Sequence, residues 1–449
     1  MFDIGIIGAG PGGYVAAIKG AQMGANVIIF EKEHLGGVCL NKGCVPTKTL
    51  LKSARLFSEI KRAGQFGIDV SGFGLDYTKM VKRKDSVVKQ LSNGIAGLLR
   101  KNKVTVVNAE ASVASRNSIQ AGGIMYDVKN IILATGSIPA MPPIPGVEHA
   151  VDSDYILNLD ALPESIAIVG GGVIGVEFAV LLAGLGVKAT IFEMLPRVLS
   201  MADGDVIFCV EKKLKNLDID VYSGVKVVEI KQSGVTFERQ GDVTRIGAEI
   251  VLVCTGRVPN VDTDMLDKLG IRHTGGVIDT DEYLRTNING IYAIGDLNGK
   301  SMLAHTAQAE GIAAVENIKG KSTVMRYDRI PYCVYTNPEI AWVGISEEKA
   351  SGLGIDYITG IFPMSANGKN VAEGETEGII KLIANAKTKE LLGAHLVCTN
   401  ATDMISGLAV LMESEGTIEE LSRVIHPHPT ISEGIHETAE ALLGSPIHI

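Results

Sequence analysis

The chain has 449 residues, too many for one hydrophobic core and enough for roughly three domains. Its 52 glycines and 5% aromatics fit an α/β protein built on tight strand-to-helix turns. A net charge of −9 argues against a duty on nucleic acid or on an anionic membrane, since phosphate binding needs an excess of Lys and Arg.

In chain order, Asp3–Ile7 reads as a strand and Gly8-Ala9-Gly10-Pro11-Gly12-Gly13 as a glycine turn. An alanine-rich helix to Met23 and a second strand, Asn26–Glu31, follow. Two cysteines then sit close together in Gly36-Gly37-Val38-Cys39-Leu40-Asn41-Lys42-Gly43-Cys44-Val45-Pro46-Thr47-Lys48. Ile131–Gly136 is an apolar strand closing on Thr-Gly, and Pro139–Pro145 reads as a linker. Residues 165–193 repeat the opening plan at one constant offset. Gly170, Gly172, Gly175, Gly186, Phe192 and Glu193 stand where the first copy has Gly8, Gly10, Gly13, Gly24, Phe30 and Glu31. Ile250–Gly256 is a second strand ending in Thr-Gly, and Gly290–Asp296 is a strand with an acid just past its end, where α/β sheets place ligand contacts. From about Tyr327 the glycine turns stop. Alternating strands at Gly378–Leu382 and Glu390–Val397 mark a separate α+β domain.

Each glycine turn follows an apolar strand, opens a helix and is answered about 20 residues on by an acid at the tip of the next strand. The glycines let the backbone approach a pyrophosphate held at the helix N-terminus, and the acid accepts hydrogen bonds from ribose hydroxyls. Two such units mean two dinucleotide sites; the plainer alternative is a pair of ordinary strand–helix turns.

The 6 cysteines are too few for a disulfide scaffold, and Cys209, Cys254, Cys333 and Cys398 are scattered. Cys39 and Cys44 can join across one bent helical turn, and Pro46 suits the first turn of a helix whose N-terminal end favours a thiolate. No second CxxC or His cluster is nearby to complete a zinc site, so no metal is expected and the pair reads as redox-active. Strand-like residues begin at Phe2, and no apolar run reaches the roughly 18 residues of a membrane span. A soluble, cytoplasmic chain is expected.

With the twin glycine turns, the cysteine pair and His426-Pro427-His428-Pro429-Thr430-Ile431-Ser432-Glu433, the chain resembles the flavin-dependent pyridine nucleotide-disulfide oxidoreductases from residue 2 to about residue 445. The resemblance implies Rossmann-like domains for FAD (1–142) and NAD (143–258), a segment returning to the FAD domain (259–327) and a C-terminal α+β dimerisation domain (328–449). It gives Gly8, Gly10 and Gly13 to FAD, with Glu31 on the adenosine ribose and Lys48 near the flavin ring. Gly136 closes that segment, Asp296 meets the ribityl chain, and Ala304 lies in a stretch beside the flavin. Gly170, Gly172, Gly175 and Gly256 take the nicotinamide nucleotide, and Glu177 pairs with Lys48. A carboxylate at the second strand tip repels a 2′-phosphate, so Glu193 favours NAD over NADP. Arg197, the one nearby arginine, is assigned no role.

The implied chemistry is oxidation of a dithiol by NAD, relayed through a protein disulfide and then flavin. Cys39 exchanges with substrate and Cys44 faces the flavin. His428 takes the proton a substrate thiol must lose to become the nucleophile, and Glu433 orients its ring. His305 is expected to be positional rather than catalytic. The likeness is strongest to members acting on dihydrolipoyl groups of a lipoyl-bearing protein, in 2-oxoacid dehydrogenase or glycine cleavage complexes. His428 is expected to reach the cysteines of the other subunit in a homodimer. Val38 stands where relatives often have Thr, which removes one hydroxyl contact to the cofactor. The alternatives are a related reductase of a small thiol and a subunit that senses redox state without turnover.

Overall fold

Short strands, the first of them running into the Gly8–Gly13 turn, build the first unit of the computed structural model, which describes residues 1–449. β1 (Phe2–Ile7), α1 (Pro11–Gln22) and β2 (Val27–Glu31) are followed by α2 (Gly37–Lys42), α3 (Cys44–Lys61) and α4 (Tyr77–Lys101). β3 (Thr105–Asn108) pairs in parallel with β2, and β2 with β1, placing Ile7 opposite Phe30. β4 (Ala111–Ser115), β5 (Ser118–Ala121) and β6 (Ile124–Leu133) run antiparallel, and the far end of β6 joins β1 in parallel. The distant strand Ile291–Ala293 pairs with β6 and completes a seven-stranded sheet. Ile4, Ile6, Ile28 and Ile29 are fully buried, as strands covered on both faces must be.

β7 (Ser137–Pro139) and α5 (Ser153–Ile156) lead to the second unit: β8 (Ser165–Val169), α6 (Val173–Gly184), β9 (Lys188–Glu193), α7 (Gly204–Asn216) and β10 (Asp220–Ser223). An antiparallel meander, β11 (Lys226–Lys231), β12 (Gly234–Arg239) and β13 (Asp242–Gly247), precedes β14 (Ile250–Val253) and β15 (Arg257–Pro259). The parallel sheet runs β10-β9-β8-β14, and Val169 faces Phe192 as Ile7 faces Phe30. The stretch Pro139–Pro145, expected as a linker, begins inside a strand. β7 pairs with β15, so the two connections between the units zip together, and Arg257 donates to the Ser137 hydroxyl and carbonyl, both at 2.7 Å.

The C-terminal sheet has five antiparallel strands in the order Tyr332–Val334, Glu339–Gly344, Leu391–Cys398, Ile379–Asn385, Tyr357–Pro363. The expected strands at Gly378–Leu382 and Glu390–Val397 exist, but their burial does not alternate. Both faces are covered. Ile340, Trp342 and Val397 pack into the core formed by α6 and α7, whereas Ala341, Val343 and Leu382 pack on the helices Ala401–Glu413 and Glu433–Leu442. No helix is long and apolar enough to cross a membrane.

Phe192 ties the second unit's sheet to its meander: its ring stacks on Tyr222 at 5.5 Å and meets Phe237 at 5.1 Å. Phe192→Ala is expected to destabilise the protein by about 3–5 kcal/mol, read as a lower urea midpoint of the purified protein; an unmoved midpoint would show that the meander is held by other contacts.

Candidate active site

A cavity of about 2070 Å³ lies where both units meet the start of the C-terminal sheet. It is roughly twice the upper end, ~1,000 Å³, of ordinary small-molecule sites. Both glycine turns open on it: Gly8 and Gly10 of the first, Gly170 and Gly172 of the second, with the strand-tip acids Glu31 and Glu193 and the Thr-Gly ends at Gly136 and Gly256.

The two turns are built alike. Gly8 and Gly170 have φ of +101° and +114°, backbone that favours glycine. A Cβ at Gly13 would lie 1.9 Å from the Gly8 carbonyl oxygen, and one at Gly175 2.0 Å from that of Gly170. Only glycine lets each helix ride this close on its strand. At Gly172 nothing lies within 4 Å of a Cβ position, and at Gly10 the nearest atom is Gly37 Cα at 3.9 Å, so the backbone is open to a ligand at both. α1 and α6 start without a side-chain cap, which leaves their first amides free for an anion. Glu31 accepts from the amides of Ala9 (2.8 Å) and Glu33 (2.9 Å), and Glu193 from those of Gly171 and Leu195, both at 2.7 Å. Each carboxylate is thereby held at the mouth of its turn, and these residues fit a dinucleotide in each unit. Arg197 does not line the cavity.

Cys39 in α2 and Cys44, the first residue of α3, form a disulfide with their Cα atoms 4.7 Å apart. Gly43, at φ −149° and ψ −107°, bends the chain between the two helices. Both cysteines line the cavity, and Cys44 sits at the positive end of an 18-residue helix. The other four thiols are free. Burial pushes Cys209 and Cys333 up to about 11 and Cys254 and Cys398 up to about 12. They are inert thiols at neutral pH.

One helical turn beyond Cys44, the Lys48 Nζ donates to both carboxylate oxygens of Glu177, at 2.9 and 2.8 Å. Glu177 is 3% exposed and also accepts from the Tyr335 amide at 2.9 Å, while Lys48 lies 4.4 Å from the Tyr335 ring centre. Three parts of the chain therefore meet at this ion pair. Tyr335 was not expected from sequence, because its place depends on a contact between distant segments. Ser137 and Arg257 were also missed: the Ser137 hydroxyl donates to Asp296 and takes a bond from Arg257, so Asp296 is held at the cavity by the β7–β15 ribbon. The Arg directly after Thr255-Gly256 was the available signal. Ala304 opens a cavity-lining helix. The next residue, His305, gives its ring Nε2–H to the Pro331 carbonyl at 2.9 Å, and burial holds its pKa below the usual histidine value.

His428 and Glu433 lie outside the cavity. His428 Nδ1 donates to Glu433 Oε1 at 2.8 Å, and the Thr430 amide donates to Oε2 at 2.7 Å. Burial pushes the Glu433 carboxyl up, but the Thr430 amide and the His428 ring outweigh it and hold it below the usual range. The stabilisation from this pair is therefore present above the unfolded carboxyl pKa and is lost as pH falls through the lowered one. The His428 side chain is 80% exposed and its Nε2 is unpaired. Val424 and Ile425 beside it are exposed apolar residues, Ile425 at 94%. Within one chain the histidine is not brought to the cysteines. His426 faces His436 at 6.1 Å between ring centres instead.

Residues 2–311 match the family model described as pyridine nucleotide-disulphide oxidoreductase, and residues 330–439 match the dimerisation domain of the same family. The chain is 39% identical over 454 residues to dihydrolipoyl dehydrogenase of Geobacillus stearothermophilus, covering 99% of this chain and 97% of the relative. It is 39% identical over 458 residues to dihydrolipoyl dehydrogenase of Bacillus subtilis, covering 100% and 97%. Among solved structures, LpdA from Mycobacterium tuberculosis matches with a TM-score of 0.90 at 26% identity, over 98% of this chain and 100% of that one. The HOCl-induced flavoprotein disulfide reductase RclA from Escherichia coli matches with a TM-score of 0.87 at 27% identity, over 98% and 99%. With matches running through both glycine turns, the cysteine pair and the His428–Glu433 segment, the chain belongs to the pyridine nucleotide-disulphide oxidoreductases.

Proposed function

We propose that the chain works as a dihydrolipoyl dehydrogenase, oxidising dihydrolipoyl groups on a partner protein and reducing NAD. The observation that carries the reading is the Cys39–Cys44 disulfide opening on the same cavity as both glycine turns. The name shared by relatives that match from end to end supplies the substrate. FAD, when bound, would supply the two-electron relay between the cysteine dithiol and NAD. The first unit would hold it through the α1 N-terminus, Glu31, Lys48 and Asp296. The second unit would hold NAD through the α6 N-terminus and Glu193, whose carboxylate would repel a 2′-phosphate and so favours NAD over NADP.

The chain's own chemistry then follows. A substrate thiol gives its proton to Nε2 of the partner subunit's His428, whose Nδ1–H is fixed on Glu433. The resulting thiolate attacks Cys39 Sγ, the Cys39–Cys44 bond breaks, and Cys44 leaves as a thiolate favoured by the start of α3. The second substrate sulfur then attacks the first across the mixed disulfide, its proton passing to the departing Cys39 sulfur, so that the bond to Cys39 breaks and the lipoyl disulfide closes, leaving Cys39 as a thiol and Cys44 as a thiolate. Exposure of His428 amid apolar residues favours the homodimer in which this dyad completes the other subunit's site. Four free thiols, Cys398 buried and the other three partly buried, fit a reducing, cytoplasmic setting. A lipoyl-bearing protein of a 2-oxoacid dehydrogenase or glycine cleavage complex is the natural partner.

Steady-state oxidation of NADH by lipoamide, with NADPH and glutathione disulfide as parallel controls, tests the reading. Turnover is expected with NADH and lipoamide; turnover confined to NADPH or to glutathione disulfide would overturn the substrate assignment. His428→Ala should lower kcat by about 10²–10⁴-fold, and mixed dimers of Cys44→Ser and His428→Ala subunits should regain activity. No regain in verified mixed dimers would place the base elsewhere. Gly172→Ala meets no protein atom, so it should leave fold and yellow colour unchanged. It should nonetheless raise KM for NAD by about tenfold or more, and an unchanged KM would remove the second turn from the site.

A further inference from the structure

One buried charge cluster outside the active cavity joins the C-terminal sheet to the second glycine-turn unit. Lys381, in the strand Ile379–Asn385, is 1% exposed, and its Nζ donates to Asp203 Oδ1 at 2.8 Å, Asp205 Oδ2 at 2.7 Å and Glu347 Oε2 at 2.7 Å. Asp203 is 0% exposed. Its Oδ1 also caps α7 through the Asp205 amide at 3.1 Å, and its Oδ2 accepts from the Glu347 amide at 3.0 Å. The Gly204 amide donates to Glu348 at 3.1 Å. The start of α7 is thus bound at several points to the C-terminal domain, and a buried carboxylate without its cation would be strongly disfavoured.

The loop that ends at Asp203 begins at Glu193. Along it Met194, Leu195, Leu199, Ser200 and Met201 line the cavity. The Leu199 amide donates to the Gly171 carbonyl at 2.9 Å, and Glu193 accepts from the Gly171 amide at 2.7 Å, so the loop touches the glycine turn from both ends. Leu199 has φ +47°, a left-handed conformation that an ordinary side chain holds only when its surroundings fix it. The fixed points are the buried Val198 and Leu199 side chains and the Asp203 anchor.

We propose that Lys381 is a positioning residue for the nicotinamide nucleotide: through Asp203 it fixes the 194–203 loop against the second glycine turn, so that the dimerisation domain sets NAD affinity. Neither Lys381 nor Asp203 lines the cavity, so the effect passes through the loop. The inference rests on the second unit being the NAD site.

The test is titration of the flavin-loaded dimer with NAD⁺, beside rapid-mixing reduction of its flavin by dihydrolipoamide, a half-reaction that needs no nucleotide. Lys381→Met is expected to raise the Kd for NAD⁺ by about tenfold or more while the rate of flavin reduction stays within about twofold. Because Lys381→Met strands the Asp203 carboxylate, Lys381→Met/Asp203→Asn serves as a second variant that buries no lone charge and is expected to show the same split. Lys381→Arg should restore part of the affinity. An unchanged Kd in the folded double variant, or an equal fall in both measurements, would overturn the proposal. Wild-type enzyme that fails to bind NAD⁺ would overturn the cofactor reading itself, a result distinguishable from normal wild-type binding with no effect of the variants.

Discussion

Each dinucleotide unit depends on one close approach, a helix whose first turn lies on the carbonyl of the strand before it. The distances that a Cβ would have at Gly13 and Gly175, 1.9 and 2.0 Å, leave no room for any side chain. That contact aims the uncapped amides of α1 and α6 past the ends of their parallel strands, a position suited to an anion. It also sets where the next strand's acid falls, because Ile7 with Phe30 and Val169 with Phe192 keep the same register. The two units are therefore one mechanical solution used twice. What differs is what each adjoins, a disulfide helix in the first and a loop tied to the C-terminal sheet in the second.

The Lys48–Glu177 pair is where these surroundings converge. Glu177 follows the second glycine turn, Lys48 follows the cysteines, and the Tyr335 amide comes from the C-terminal segment. Burying a carboxylate this deeply is costly unless a cation and an amide meet it. The pair therefore specifies the relative placement of three segments more than it adds net stability. Lys381 with Asp203 repeats the device on the far side of the second unit. Two charged junctions, one at the cavity and one behind it, hold that unit between its neighbours.

How far this was legible in sequence follows from the range of each constraint. The glycine turns, the strand-tip acids and the cysteine pair are local, dictated by backbone geometry within a few dozen residues, and they stand out as spacing. Asp296 was visible as an acid past a strand end, but the Ser137–Arg257 ribbon that holds it was not, because β7 and β15 are joined only by the folded chain. The strands at Ile379–Asn385 and Leu391–Cys398 were expected to alternate and do not. Their second face is covered by α6 and α7, elements about two hundred residues away, and periodicity cannot report a cover that comes from elsewhere.

Position, not residue type, assigns reactivity here. Six cysteines share one chemistry, yet burial keeps four of them as thiols while the pair flanking Gly43 lies at the start of a helix and on the cavity. The same logic separates the histidines. His305 and His395 each give a ring N–H to a carbonyl and burial lowers their pKa values, which suits them to structure. His428 combines a carboxylate on Nδ1 with an exposed, unpaired Nε2, an arrangement shared only by His448, on Glu437 near the C-terminus. In the proposed role of His428 as the base, that exposed Nε2 lies outside the cavity that holds the disulfide of its own chain. The proposed homodimer accounts for both facts, because a dyad exposed on one chain would be enclosed only where it meets the site of another.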